Sequence, residues 1–244
     1  MYAGYLFDLD GTLWRGNTPI PGAVETVRRL QDAGARIGYV TNNSTQSTEQ
    51  FVAKLSRMGF PTDGCAVKST ASGAAAYVAA EGIRSAYVIG EAGLHSSIAA
   101  VAEITEDSPQ AVVVGLCFSF DYEKLKMAMR AIRGGAQFIA TNRDVTYPME
   151  GGNFIPGAGS VVAAVSAAAE REPIEIGKPE PTMIRQCLAE LGLRADETLV
   201  VGDRLDTDIE SGQRAGCPVH LVFSGVETVA PLGMAHSLDV TGLG

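Results

Sequence analysis

The chain has 244 residues, 46% apolar and 19% charged, which is material for sizeable buried cores and not the composition of a disordered chain. Its 19 Lys and Arg stand against 28 Asp and Glu, a formal charge of -9. A surface this acidic repels phosphate backbones and anionic lipid, so neither nucleic acid nor a membrane is an expected partner, and any anionic small substrate needs a local positive field.

The first expected element is a buried strand over Gly4 to Leu9. A helix follows from about Pro21, with Val24, Val27 and Leu30 on one face and Gly34 closing it. Arg36 to Thr41 reads as the next strand, and a helix with Ser47 and Gln50 at capping-box spacing runs to Gly59. Further strands are predicted at 86–90, 111–115, 136–140, 174–177, 198–202 and 218–223, and helices at 70–81, 91–102, 121–133, 157–170, 181–192 and 206–215. Met127, Met129 and Ile132 fit a buried helix face, and Leu238 to Gly242 reads as a last edge strand cut short. Alternation of this kind predicts an α/β fold with a parallel sheet. Residues 1–80 and 172–244 are expected to form one catalytic core, because each acidic cluster there follows directly on an apolar strand. Residues 81–171 are expected to be an insert.

Four cysteines, Cys65, Cys117, Cys187 and Cys217, show no C-x-x-C spacing, and only His95, His220 and His236 are available beside them. Reduced, mostly buried thiols are therefore expected in place of a zinc site or a disulfide framework. Met1 to Asp10 has no basic stretch and no long apolar run, and already holds Asp8 and Asp10, so no signal peptide is expected. No segment reaches the roughly 18 apolar residues of a membrane span, and a cytoplasmic location is the expectation.

Four short motifs carry chemistry. Asp8-Leu9-Asp10-Gly11-Thr12 leaves the first strand with two carboxyl groups at i and i+2, which lie on one face, and Gly11 permits close approach to an anion. Thr41-Asn42-Asn43-Ser44 ends the second strand with groups that can donate to phosphoryl oxygens without adding charge. Gly177-Lys178-Pro179 sets one lysine where it can neutralise a carboxylate and an incoming phosphoryl group; it is not a Walker loop, since Glu172 and Pro179 break that pattern. Gly202-Asp203-Arg204-Leu205-Asp206-Thr207-Asp208 closes the set. Asp203 and Asp208 read as ligands of a hard cation, Mg²⁺, while Asp206 reads as a helix cap.

In this order, each after a strand, the four motifs resemble those of the haloacid dehalogenase superfamily. The finer resemblance is to its NagD-like, p-nitrophenyl phosphatase branch, carried by Leu13-Trp14-Arg15-Gly16, Pro21-Gly22-Ala23, Thr41-Asn42-Asn43-Ser44, Ala140-Thr141-Asn142, Pro156-Gly157-Ala158-Gly159 and Gly177-Lys178-Pro179. The resemblance implies a Rossmann-like, doubly wound parallel-sheet core with an inserted α/β cap domain of type IIA. It implies an Mg²⁺-dependent phosphatase for small phosphomonoesters (sugar, glycerol, glycolate or nucleotide monophosphates). Asp8 would be the nucleophile, Asp10 the general acid and base, and Thr41 and Lys178 catalytic partners. Asp8, the Asp10 carbonyl, Asp203 and Asp208 would serve the metal, and Gly11, Asn42 and Asn43 the phosphoryl oxygens. In the cap, Asn142, Arg143, Asp144 and Tyr147 become candidates for the leaving group, with Arg143 either meeting an anionic tail or lying on the surface. Cys117 and Phe118 either shape a less polar pocket or only pack. Relatives of this kind imply a homodimer through the cap. Phosphotransfer to a second alcohol and a non-catalytic phospho-ligand-binding role are the alternatives. A phospho-aspartate signalling receiver is disfavoured, since its acceptor lies on a middle strand and it has no place for the insert.

Overall fold

The computed structural model describes residues 1–148 and 154–243. The chain divides into two compact units, one of residues 1–41, 49–68 and 178–244, the other of residues 42–48 and 69–177.

The first unit is built on a six-stranded sheet. Its spatial order is His236–Ser237, Val219–Val222, Thr198–Gly202, Gly4–Phe7, Arg36–Thr41, Ala66–Ser69. Gly4–Phe7 lies in the middle, parallel to Arg36–Thr41 on one side and to Thr198–Gly202 on the other. Successive strand residues point to opposite faces, and here both faces are covered. Tyr5, Phe7, Ile37, Tyr39, Leu199 and Val201 join a cluster with Val27, Leu30, Phe51 and Phe60. Leu6, Val40 and Val200 pack on the other side against Met183, Ile184, Cys187 and Leu191. The helix Ala23–Asp32 buries Ala23, Thr26, Val27 and Leu30, an i, i+3, i+4, i+7 stripe.

The second unit repeats the logic with five strands in the order Ile174–Glu175, Gln137–Ala140, Ala111–Val114, Ser85–Ile89, Glu103–Ile104, all paired in parallel. Ala86, Val88, Ala111, Val113 and Ile139 face one cluster. Tyr87, Ile89, Val112, Val114, Phe138 and Ala140 face the other. Thr70–Ala80 opens on a capping box between Ser69 and Ser72, and Tyr122–Arg133 opens on the Asp121 side chain, which accepts the Lys124 N–H. The architecture is thus α/β, a doubly wound parallel-sheet core interrupted by an α/β domain.

Several expectations change. The inserted unit begins before residue 81, because Ala71, Ala74, Ala75 and Val78 of Thr70–Ala80 pack in its core, and it extends past residue 171 because Ile174–Glu175 pairs with Gln137–Ala140. Residues 42–48 also belong to it. The first strand stops at Phe7, since the Leu9 carbonyl turns to accept the N–H groups of Thr12, Leu13 and Trp14. The segment 206–215 is not one helix but a π-helical turn, Leu205–Ile209, followed by Glu210–Ala215. The last strand is His236–Ser237, and Val240–Gly242 forms a 3-10 turn capped by Asp239. Short strands at Trp14–Arg15, Thr18–Pro19, Ala66–Ser69, Glu103–Ile104, Thr146–Pro148 and Phe154–Pro156 escaped the periodicity. On Tyr122–Arg133 the buried residues are Ala128 and Ile132, with Met127 half-buried beside them.

One close approach inside the second unit is testable. The Gly93 N–H donates to the Thr45 carbonyl at 3.2 Å, and a Cβ at Gly93 would clash with the Gln46 backbone. Gly93→Ala is expected to destabilise the protein by about 1–3 kcal/mol through overpacking. Urea unfolding checks this, and an unchanged midpoint would contradict the packing of residues 42–48 described here.

Candidate active site

The parallel sheet of the first unit brings four strand ends to one edge, where ligands of open α/β sheets bind. Asp8 follows Gly4–Phe7 and still continues the ladder, its N–H donating to the Val201 carbonyl at 2.9 Å. Thr41 is the buried last residue of Arg36–Thr41, and Asp203 follows Thr198–Gly202. Lys178 precedes the helix Thr182–Leu191 and is only 4% exposed. Its ammonium donates to Asp8 Oδ1 at 2.6 Å, to Asp208 Oδ1 at 2.6 Å and to the Val40 carbonyl at 3.2 Å. One carboxylate oxygen from each of Asp8, Asp203 and Asp208 lies within 4.8 Å of the others.

Asp208 reaches this cluster because the π-helical turn carries it inward. Its Oδ2 accepts the N–H groups of Asp203 at 3.2 Å and Arg204 at 3.1 Å, so it caps the turn while Oδ1 meets Lys178. Asp206, expected as the cap, instead faces outward and pairs with the Arg204 guanidinium. Turns of this π type recur at functional sites.

Burial is the largest influence on these charges. It raises the Asp8 carboxyl well above its usual range; the Asp208 and Asp203 charges add to the rise, and Lys178 opposes it. Burial and the Asp208 charge push Asp203 up to about 7. For Lys178, burial favours the neutral amine, but Asp208 and Asp8 outweigh it and hold the ammonium above its ordinary value. One ammonium against three carboxylates leaves the cluster short of positive charge. An all-oxygen, partly buried donor set with a charge deficit fits a hard divalent cation. Asp8 and Asp203 are the side chains suited to hold it, while both oxygens of Asp208 are already engaged.

Asp10 stands apart. Its side chain is exposed and lies outside the carboxylate cluster, so only its carbonyl is left for the metal role expected of it. The Asp10 carboxylate accepts the Trp14 indole N–H at 2.8 Å. Gly11 adopts φ +93°, and a Cβ there would sit 2.6 Å from Asp203 Oδ2, so both turn and packing require glycine. Sequence reasoning missed Ser224-Gly225-Val226. The Ser224 hydroxyl donates to the Gly11 carbonyl at 2.8 Å, the Val226 N–H donates to Asp203 Oδ2 at 2.8 Å, and Gly225 packs flush on Asp203. Their position after Val219–Val222, at the same sheet edge, was the available signal.

The second unit gathers other expected residues. The Asn42 carbonyl accepts from the Thr70 hydroxyl and the Asn142 amide, both at 2.7 Å, and the Asn42 amide donates to Asp144 Oδ2 at 3.2 Å. Asn43 donates to the Tyr147 hydroxyl at 3.3 Å while its Oδ1 accepts from Thr45. Asn42, Asn43, Asn142, Asp144 and Tyr147 thus form one polar cluster. Arg143 does not join it: the guanidinium is paired with Glu172 at 2.5 Å and Glu175 at 3.1 Å, an arrangement that leaves little charge for an anionic tail. Gly157 and Gly159 pack against backbone of residues 143–146, and their N–H groups donate to Val145 and Asp144 carbonyls, which gives the Pro-Gly-Ala-Gly motif a structural reason. Cys117 is buried in the apolar cluster, so it packs, whereas Phe118 is 62% exposed.

The raised Asp8 and Asp203 groups bind protons more tightly folded than unfolded. With the metal chelated, they therefore cost stability as pH rises above the ordinary carboxylate range, for Asp203 from about 4 to about 7. A divalent cation is expected to raise the melting temperature more at pH 8 than at pH 5, as read by thermal melts with Mg²⁺ against EDTA. An equal rise at both pH values would contradict the carboxylate cluster as the binding site.

Two family models match the chain: a haloacid dehalogenase-like hydrolase over residues 5–102 and a second model of HAD-hydrolase-like proteins over residues 175–239. The chain is 38% identical over 230 residues to an acid sugar phosphatase of Staphylococcus saprophyticus, covering 93% of this chain and 88% of that one. Its structure is similar to that of NagD from Escherichia coli K-12, with a TM-score of 0.91, 28% identity, and 100% and 98% of the two chains covered. It is also similar to glycerol phosphate phosphatase Rv1692 from Mycobacterium tuberculosis in complex with magnesium, with a TM-score of 0.88, 34% identity, and 98% and 76% covered. Among the described residues no helix is long and apolar enough to cross a membrane. The chain belongs to the haloacid dehalogenase-like hydrolases, in their NagD-like branch with an inserted α/β cap domain.

Proposed function

We propose that the protein is an Mg²⁺-dependent phosphatase that hydrolyses small phosphomonoesters through an aspartyl-phosphate at Asp8. The observation that carries this reading is the buried Lys178 ammonium bridging Asp8 and Asp208, with Asp203 beside them, at the carboxyl edge of a parallel sheet. Lys178 opposes the burial that favours a protonated Asp8, and its ammonium holds Oδ1 of that carboxylate.

In the first step an Asp8 oxygen attacks phosphorus, the bond to the ester oxygen breaks, and Asp10 gives that oxygen its proton. In the second, water attacks phosphorus, Asp10 takes the water's proton, and phosphate leaves with Asp8 restored. Thr41 is assigned to the transferred phosphoryl oxygens, with Gly11 leaving room for their close approach. Mg²⁺, held by Asp8, Asp203 and the Asp10 carbonyl, would supply the remaining positive charge for the transferring group. Asn42, Asn43, Asn142 and Tyr147 are carried as substrate-recognition residues. The relatives' names support sugar and glycerol phosphates as the first esters to try.

Phosphate release from a panel of such esters tests the reading. Release is expected to need Mg²⁺, to stop with EDTA, and to fall on the order of a thousandfold or more in Asp8→Asn. Lys178→Met is expected to lose activity by about 10²–10³-fold and to unfold more readily, because removing one partner of a buried ion pair costs about 3–5 kcal/mol. No release by folded, Mg²⁺-loaded protein would contradict the proposal. Release that becomes transfer when a second alcohol is added would redirect it to phosphotransfer. The homodimer through the cap is part of the proposal, in keeping with the exposed Phe118 and Tyr122 of that domain. Light scattering should give about twice the 25.5 kDa chain mass, and a monomer mass would contradict it.

A further inference from the structure

Asp10 is exposed, yet proton transfer requires its carboxylate to be held in one orientation, since positioning of reacting groups supplies much of the rate. Among the described residues, the donor to that carboxylate is the Trp14 indole, at 2.8 Å. Trp14 itself has no exposed surface; it lies among Leu9, Leu13, Phe51 and Phe60 in the main core of the first unit. Its single polar atom thus leaves a rigid apolar setting at one point only, toward Asp10. The backbone repeats the connection: the Gly11 N–H donates to the Trp14 carbonyl at 2.8 Å, and the Trp14 N–H donates to the Leu9 carbonyl at 3.2 Å. The Phe60 ring meets the indole edgewise with centroids 6.1 Å apart, which restrains its tilt. On its face stands the Lys54 ammonium, 4.5 Å from the ring centre. A cation there draws on the ring's electrons and makes the indole N–H a stronger donor.

We propose that Trp14 is a positioning residue, whose indole N–H orients the Asp10 carboxylate for proton transfer and whose donor strength is raised by Lys54. The inference rests on the acid and base role proposed above for Asp10. Nothing in it requires Trp14 to touch substrate.

Leaving-group chemistry separates this role from a purely structural one. Loss of p-nitrophenolate needs no proton, while loss of the alkoxide of glycerol phosphate does, and kcat/KM reports the steps through departure of the alcohol. Trp14→Phe keeps an aromatic ring in the core and removes the donor. It is expected to lower kcat/KM for glycerol phosphate about tenfold or more, and for p-nitrophenyl phosphate less than about threefold. Lys54→Met should show the same selectivity to a smaller degree. Asp10→Asn is the reference and should show it most strongly. Selective loss in Asp10→Asn with equal loss on both esters in Trp14→Phe overturns the Trp14 role alone. Equal loss in Asp10→Asn overturns the acid role beneath it. A second measurement does not depend on the stability of Trp14→Phe. The chain has one tryptophan, so its NMR spectrum holds one indole N–H signal. That proton should move upfield in Asp10→Ala as its carboxylate acceptor is lost, and an unmoved signal overturns the contact.

Discussion

A buried ammonium held between two carboxylates organises the first unit. Lys178 reaches Asp8 just beyond the central strand, Asp208 on the π-helical turn and the Val40 carbonyl on Arg36–Thr41, so it ties the two sides of the strand order together beneath the carboxyl edge of the sheet. Without it, burial and mutual repulsion would favour the neutral form of these carboxyl groups still more strongly. With it, the site remains short of positive charge, which is the electrostatic reason a divalent cation and a phosphoryl group belong there together. This also accounts for an acidic protein binding an anion: the field that matters is local.

The rest of the first unit can be understood as support for that arrangement. Covering both faces of the sheet makes its strands rigid, and rigid strands fix where their last residues point. Gly11, Gly202 and Gly225 let backbone approach Asp203 and Asp208 more closely than any side chain would allow. Asp208 serves two purposes at once, satisfying the N–H groups of Asp203 and Arg204 with one oxygen and Lys178 with the other.

Much of this was legible in the sequence, for identifiable reasons. Asp8, Lys178, Asp203 and Asp208 stood out because polar residues directly after short apolar strands mark sheet edges, and the structure brings all four together. Two of the longer strands, Arg36–Thr41 and Thr198–Gly202, were legible to the residue. Two-residue strands were not, since a period of two cannot be recognised in so few positions. The edges of the inserted unit were misplaced because Thr70–Ala80 is rich in alanine, and periodicity does not say which core such a helix joins. Arg143 could not be assigned, because its glutamate partners lie about 30 residues away in the chain. Trp14 looked like a motif residue, and its indole contact depends on a turn whose shape only the folded backbone reveals.

The central claim is that Asp8 carries the phosphoryl group. Acid quenching during turnover of a reactive ester, followed by borohydride reduction and peptide mass analysis, tests it directly, because an acyl phosphate is reduced while a free carboxylate is not. The account predicts reductive conversion of residue 8 alone, dependent on substrate and Mg²⁺. Phosphate turnover with residue 8 unreduced, or with another side chain modified in its place, would contradict it.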